Sequence, residues 1–98
     1  MKRLFAIIRS RGPAWNDDLP MESQADWPAH AAFMNALVDE GFIALGGPLE
    51  GSPDVLLVVR ATTDDEIVER FAVDPWTRSG LLVIRQVWPW QIRLGSLV

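Results

Sequence analysis

Asp54-Val55-Leu56-Leu57-Val58-Val59-Arg60 is apolar at five consecutive positions between two charged ends, and its reading decides the fold. The length, the β-branched content and the turn formers Gly51-Ser52-Pro53 just before it identify a strand. A strand in a sheet covered on one side alternates apolar with polar residues. This one does not, and neither do Leu4-Phe5-Ala6-Ile7-Ile8 or Leu81-Leu82-Val83-Ile84. Both faces of the sheet therefore ask for cover.

Outward from that strand, residues 3–9 read as strand one, and residues 10–25 form a long loop rich in turn formers and without periodicity. Loops of that length in a compact domain tend to be functional, and Trp15, Leu19 and Met21 supply apolar handles. His30, Phe33, Met34, Leu37 and Gly41 fall on one stripe of a helix over Trp27–Glu40, with Asp26 as its cap and Gly41 as its stop. Phe42–Leu45 is strand two, and Gly46-Gly47-Pro48 opens the connection to strand three. Thr63-Asp64-Asp65-Glu66 is a capping box that starts helix two, which ends near Asp74 because a residue before proline is driven out of helical geometry. Strand four covers Leu81–Val87.

The order βαββαβ predicts an α+β, ferredoxin-like domain spanning 1–98, a four-stranded antiparallel sheet with two helices on one face. Those helices hide one side of the apolar strands. A second copy packed sheet to sheet would hide the other, so a homodimeric α+β barrel is expected. The same topology gathers the start of helix one, the end of helix two, the long loop and the Gly46–Pro53 connection at one end of the sheet. His30 and Asp74 thereby belong to one cleft.

Composition narrows the function. A net charge of -4 with scattered basic residues argues against nucleic acid as a partner. There is no cysteine and one histidine, so thiolate or His-rich metal sites and cysteine nucleophiles are not expected, and no cofactor is implied. Arg9 and Arg11 cut the N-terminal apolar run to five residues, too short for a signal core or a membrane span, so a cytoplasmic protein is expected. Asp17-Asp18 and Asp64-Asp65-Glu66 read as a solvated loop and a helix start rather than metal ligands, and Ser79 lacks the context of a nucleophile elbow.

A lone histidine on an apolar helix face is most often a hydrogen-bonded core residue. Convergence with Asp74 favours the chemical reading, in which His30 is a general acid/base and Asp74 orients its ring. An acid at the C-terminal end of a helix is electrostatically disfavoured, so Asp74 needs a reason to be there. Trp76 and Trp15 are candidate pocket walls, with Trp76 equally readable as a core plug; Gly47 and Pro48 shape the backbone of the same pocket. Arg9 is a candidate for attracting an anionic ligand, set against the commoner surface arginine.

His30-Ala31-Ala32-Phe33-Met34 followed by Leu37 and Gly41, then Gly47-Pro48-Leu49, then Ala72-Val73-Asp74-Pro75-Trp76 followed by Gly80-Leu81 and Val87-Trp88-Pro89-Trp90, resembles the YCII-related (YciI-like) family of small dimeric α+β barrels. The resemblance implies a cleft in which a family His and Asp, matching His30 and Asp74, form the active site. The loop from Ser10 to Ala25 is longer than in shorter members. Two functions follow: a small-molecule enzyme using a His/Asp dyad for cofactor-free elimination or isomerisation, or a non-catalytic small-molecule-binding or accessory dimeric module. A purely structural dimerisation role would leave the His/Asp convergence without purpose.

Overall fold

The computed structural model describes residues 1–97. Four strands, β1 (Arg3–Arg11), β2 (Ile43–Pro48), β3 (Asp54–Ala61) and β4 (Leu82–Pro89), form one antiparallel sheet in the order β2-β3-β1-β4. The helices α1 (Trp27–Asp39), α2 (Asp64–Ala72) and α3 (Pro75–Ser79) cover one face, giving the ferredoxin-like α+β arrangement. The register Phe5↔Val59, Ile7↔Leu57 and Arg9↔Val55 puts these side chains on the helical side, where Phe5, Ile7, Leu57 and Val59 meet Leu37, Ile67 and Phe71 in the core.

The alternate residues face the other way. Leu4, Ala6, Ile8 and Leu56 are half-buried there, while Leu45, Val83 and Trp88 are exposed. Trp88, at 57% exposure, is a large aromatic ring that the chain itself leaves uncovered.

Several boundaries differ from the sequence reading, each for a local reason. β1 continues through Ser10 and Arg11, which pair with Val83 and Leu82 of β4, so the long loop begins at Gly12. β2 starts one residue later and runs on through Gly46-Gly47-Pro48, opposite Leu57, Leu56 and Val55. It is an edge strand, where proline and glycine sacrifice few ladder bonds. Asp26 does not cap α1 through its side chain: its backbone is left-handed (φ 60°), whereas an N-cap carboxylate reaches the first-turn N–H groups from extended geometry. The capping box of α2 does form, Thr63 Oγ1 accepting from the Glu66 N–H at 3.2 Å, while the Glu66 carboxylate reaches one residue further back, to the Thr62 N–H at 2.8 Å.

The largest difference lies after α2. Asp74 does not finish a helix; it begins one. Its backbone is extended (φ −63°, ψ 129°), as the following proline demands, and its side chain accepts from the Trp76 N–H as the N-cap of α3. Pro75 occupies the first turn of α3 and Gly80, left-handed at φ 79°, ends it. The electrostatic objection to an acid at this position thereby disappears.

The loop after β1 is fastened rather than loose. Gly12 and Ala14 donate to the Leu81 and Gly80 carbonyls at 2.8 and 3.1 Å, and the buried Gln24 side chain ties Asn16 and Leu19 together from within. A Cβ at Gly12 would overlap the Gly80 carbonyl, so only glycine allows this approach. The loop is thus held against α3, with Trp15 and Met21 packed around Trp76. No helix among the described residues is long and apolar enough to cross a membrane.

Candidate functional site

The site is built around one carboxylate. Asp74 is fully buried, and three elements aim donors at it. His30, in the first turn of α1, places Nδ1 at 2.9 and 3.0 Å from the two carboxylate oxygens. Arg9 of β1 donates from Nη1 to Oδ2 at 2.8 Å, and the Trp76 backbone N–H donates to Oδ1 at 3.0 Å. Burial pushes the Asp74 carboxyl up, but the hydrogen bonds from His30, Arg9 and Trp76 outweigh it and hold the group below the usual carboxylate range. Burial likewise pulls Arg9 below its ordinary value while the bond to Asp74 opposes the change, and a guanidinium stays protonated through such a shift.

An ionised carboxylate only accepts, so the His30 Nδ1 facing both its oxygens carries a hydrogen. In the neutral ring the proton-free nitrogen is then Nε2. Nε2 makes no hydrogen bond within the described residues, yet the single buried side-chain nitrogen or oxygen there without a partner is Arg9 Nε. The His30 Nε2 therefore keeps some solvent contact, and His30 lines the cavity.

Packing fixes the plane of the ring as the carboxylate fixes its rotation. Trp76 stacks on His30 with centroids 3.8 Å apart and planes 5° from parallel. Trp76 is itself held by donating its Nε1–H to the Ala25 carbonyl at 2.6 Å and by Trp15 and Trp27, whose rings lie 5.5 and 5.7 Å away. At 1% exposure Trp76 is a backing plate as much as a wall.

In front of His30 opens a cavity of about 500 Å³ between α1, the β2–β3 hairpin and the loop after β1. Its lining is mainly apolar, including Trp15, Met21, Trp27, Met34, Leu57 and Leu82; Gly46, Gly47 and Pro48 form the hairpin side. Space of this size suits a small organic molecule. Among the described residues no group of three or more His, Cys, Asp or Glu side chains is arranged to hold a metal ion.

Among the residues singled out from sequence, His30, Asp74 and Trp76 are in mutual contact, while Trp15, Gly47 and Pro48 line the cavity. Arg9 lines the cavity too, but it is not a surface arginine, and its Nε has no hydrogen-bond partner. Its side chain is fully buried and committed to Asp74 and, from Nη2, to the Thr77 hydroxyl at 2.7 Å, with Phe71 beneath it at 5.0 Å. Sequence reasoning passed over Thr77, Trp27, Gly46 and Arg11. Trp27 stands three residues before His30 on the same helical face, a signal that was available. A Cβ on Gly46 would overlap the Leu57 side chain, whereas one on Gly47 would meet nothing within 4 Å, so the close approach in this hairpin is at Gly46.

Residues 4–91 match the model of the YCII-related domain. The chain belongs to the YCII-related family. Among solved structures it is similar to the 5-chloro-2-hydroxyhydroquinone dehydrochlorinase TftG from Burkholderia phenoliruptrix AC1100, in complex with 2,5-dihydroxybenzoquinone, at 27% identity and a TM-score of 0.68, covering 90% of this chain and 93% of that one. A search of curated proteins found no match.

The depressed carboxyl of Asp74 sets the sign of a pH effect. An acid whose folded pKa lies below its unfolded value stabilises the fold above the unfolded pKa, and that contribution is lost as pH falls through the folded one. The stability of the wild type against urea should therefore fall as pH drops from about 5 toward 3. Asp74→Asn should flatten that dependence. Arg9→Met, which leaves the buried carboxylate without its cation, should cost about 3–5 kcal/mol at neutral pH. An Arg9→Met protein as stable as wild type would show that the ion pair does not hold the site.

Proposed function

We propose that this chain is a small-molecule enzyme working by cofactor-free proton transfer, of the elimination or isomerisation type, with His30 as the proton carrier and Asp74 as the residue that orients it. The observation supporting this reading is the pairing of His30 Nδ1 with both oxygens of Asp74, which leaves Nε2 as the proton acceptor on a ring that lines the cavity. The likeness to a dehydrochlorinase, an enzyme that removes hydrogen chloride by elimination, supports the same class.

In an elimination, Nε2 takes a proton from a C–H or O–H of the substrate. The released electron pair forms a new π bond while the leaving group departs with its bonding pair. His30 then gives the proton to water or, in an isomerisation, back to another atom of the substrate. Asp74 stays ionised throughout and stabilises the imidazolium. Trp15, Trp76 and the apolar lining exclude water from the reacting atoms.

Turnover separates this reading from a non-catalytic binding or accessory module. The first substrate to test is 5-chloro-2-hydroxyhydroquinone, followed by other small halogenated or carbonyl-bearing rings, with product formation followed spectrophotometrically. The wild type should turn over at least one, and His30→Ala should lower kcat by about 10²–10⁴-fold while near-UV circular dichroism is retained. Binding of such rings without turnover of any would favour the binding module.

We further infer a cytoplasmic homodimer joined through the outer sheet face. The support is the apolar band of Leu4, Ala6, Ile8 and Leu56, flanked by the exposed Leu45, Val83 and Trp88, which a soluble monomer would leave wet. Sedimentation at micromolar concentration should return twice the 11.0 kDa chain mass, and Trp88→Glu should shift the protein toward monomer. A wild-type monomer under those conditions would contradict the barrel.

A further inference from the structure

We propose that Arg11 is the anion-recognising residue of the cavity, and that the ligand is a small planar molecule bearing an oxyanion, an enolate, phenolate or carboxylate, opposite the atom presented to His30. The inference rests on the cavity being a ligand site, as proposed above, and adds the class of ligand and the residue that selects it.

Of the arginines in this net-negative chain, Arg9, Arg70 and Arg85 are paired with Asp74, Glu40 and Asp54. Arg11 lines the cavity and, among the described residues, has neither a carboxylate partner nor a side-chain hydrogen bond. It lies two residues after Arg9 on β1 and therefore on the same, helical face of the sheet. Both cations line the cavity, but Arg9 is fully buried and donates to Asp74 and Thr77, whereas Arg11 is exposed.

Arg11 is also positioned. Its backbone N–H donates to the Pro53 carbonyl at 3.1 Å, tying the end of β1 to the β2–β3 hairpin. Its guanidinium sits over the Trp15 ring, 4.9 Å from the centroid. A cation stacked on an indole keeps its N–H edge free for an acceptor in the ring plane of the guanidinium, and that planar fork fits an oxyanion better than a neutral oxygen. Trp15 and Trp27 supply flat apolar surfaces on the same cavity, so a planar body with a charged edge matches both kinds of lining.

The test is equilibrium binding, which needs no turnover. The probes are 2,5-dihydroxybenzoquinone, anionic at neutral pH, and its neutral relative 2,5-dimethoxybenzoquinone, followed by tryptophan fluorescence and calorimetry with wild type, Arg11→Met and Arg11→Lys. The wild type should bind the anionic probe more tightly, and its affinity should fall with added salt. Arg11→Met, which keeps the aliphatic stem on Trp15, should weaken the anionic probe by about tenfold or more and abolish most of the salt dependence, with the neutral probe unchanged. Arg11→Lys should recover part of the loss. Equal binding of the anionic probe by wild type and Arg11→Met would overturn the role of Arg11 while leaving the cavity a ligand site. Failure of the wild type to bind either probe would overturn both.

Discussion

A carboxylate with no solvent exposure is stable only if the protein surrounds it with donors, and the helical layer here is organised around meeting that requirement for Asp74. Its partners come from β1, α1 and α3, so one group joins the sheet to both ends of the helical cover. Arg9 provides the compensating charge from beneath, the Trp76 N–H fixes the start of α3, and His30 closes the remaining side. Breaking any one of these leaves a buried charge short of a donor, which makes the cluster cooperative rather than a sum of separate bonds.

Function inherits that constraint. Because Arg9 and Trp76 hold Asp74 as an acceptor, the hydrogen on His30 is confined to Nδ1, and Nε2 is the nitrogen that the proposed proton transfer would use. The parallel Trp76 ring at 3.8 Å removes the remaining freedom of the imidazole. Orientation by a carboxylate and by stacking are independent supports, and together they preorganise the ring before a ligand arrives. The apolar cavity in front of it then decides what is brought within reach.

Much of the frame was legible from pattern. Apolar runs at 4–8, 55–59 and 81–84, a helical stripe carrying His30 and a capping box at Thr63 are enough for βαββαβ, and the antiparallel order brings the start of α1 and the end of α2 to the same end. What stayed hidden was short or long-range. Pro75–Ser79 is a five-residue helix, too brief for periodicity to register, so Asp74-Pro75-Trp76 looked like a turn and Asp74 like an acid at the wrong helix end. Arg9 looked like a surface cation because its partner lies 65 residues away, and strand periodicity carries no information about a side chain's distant counter-charge. The extension of β2 through Gly46-Gly47-Pro48 depends on its being an edge strand, a property of the assembled sheet rather than of the local sequence.

The central claim is that Asp74 fixes the tautomer of His30, and nitrogen NMR of the selectively ¹⁵N-histidine-labelled protein measures this directly, since His30 is the only histidine. At a pH where the ring is neutral, Nδ1 should be protonated and pyrrole-like and Nε2 unprotonated and pyridine-like. A ring carrying its hydrogen on Nε2, with Nδ1 unprotonated toward Asp74, would contradict that claim.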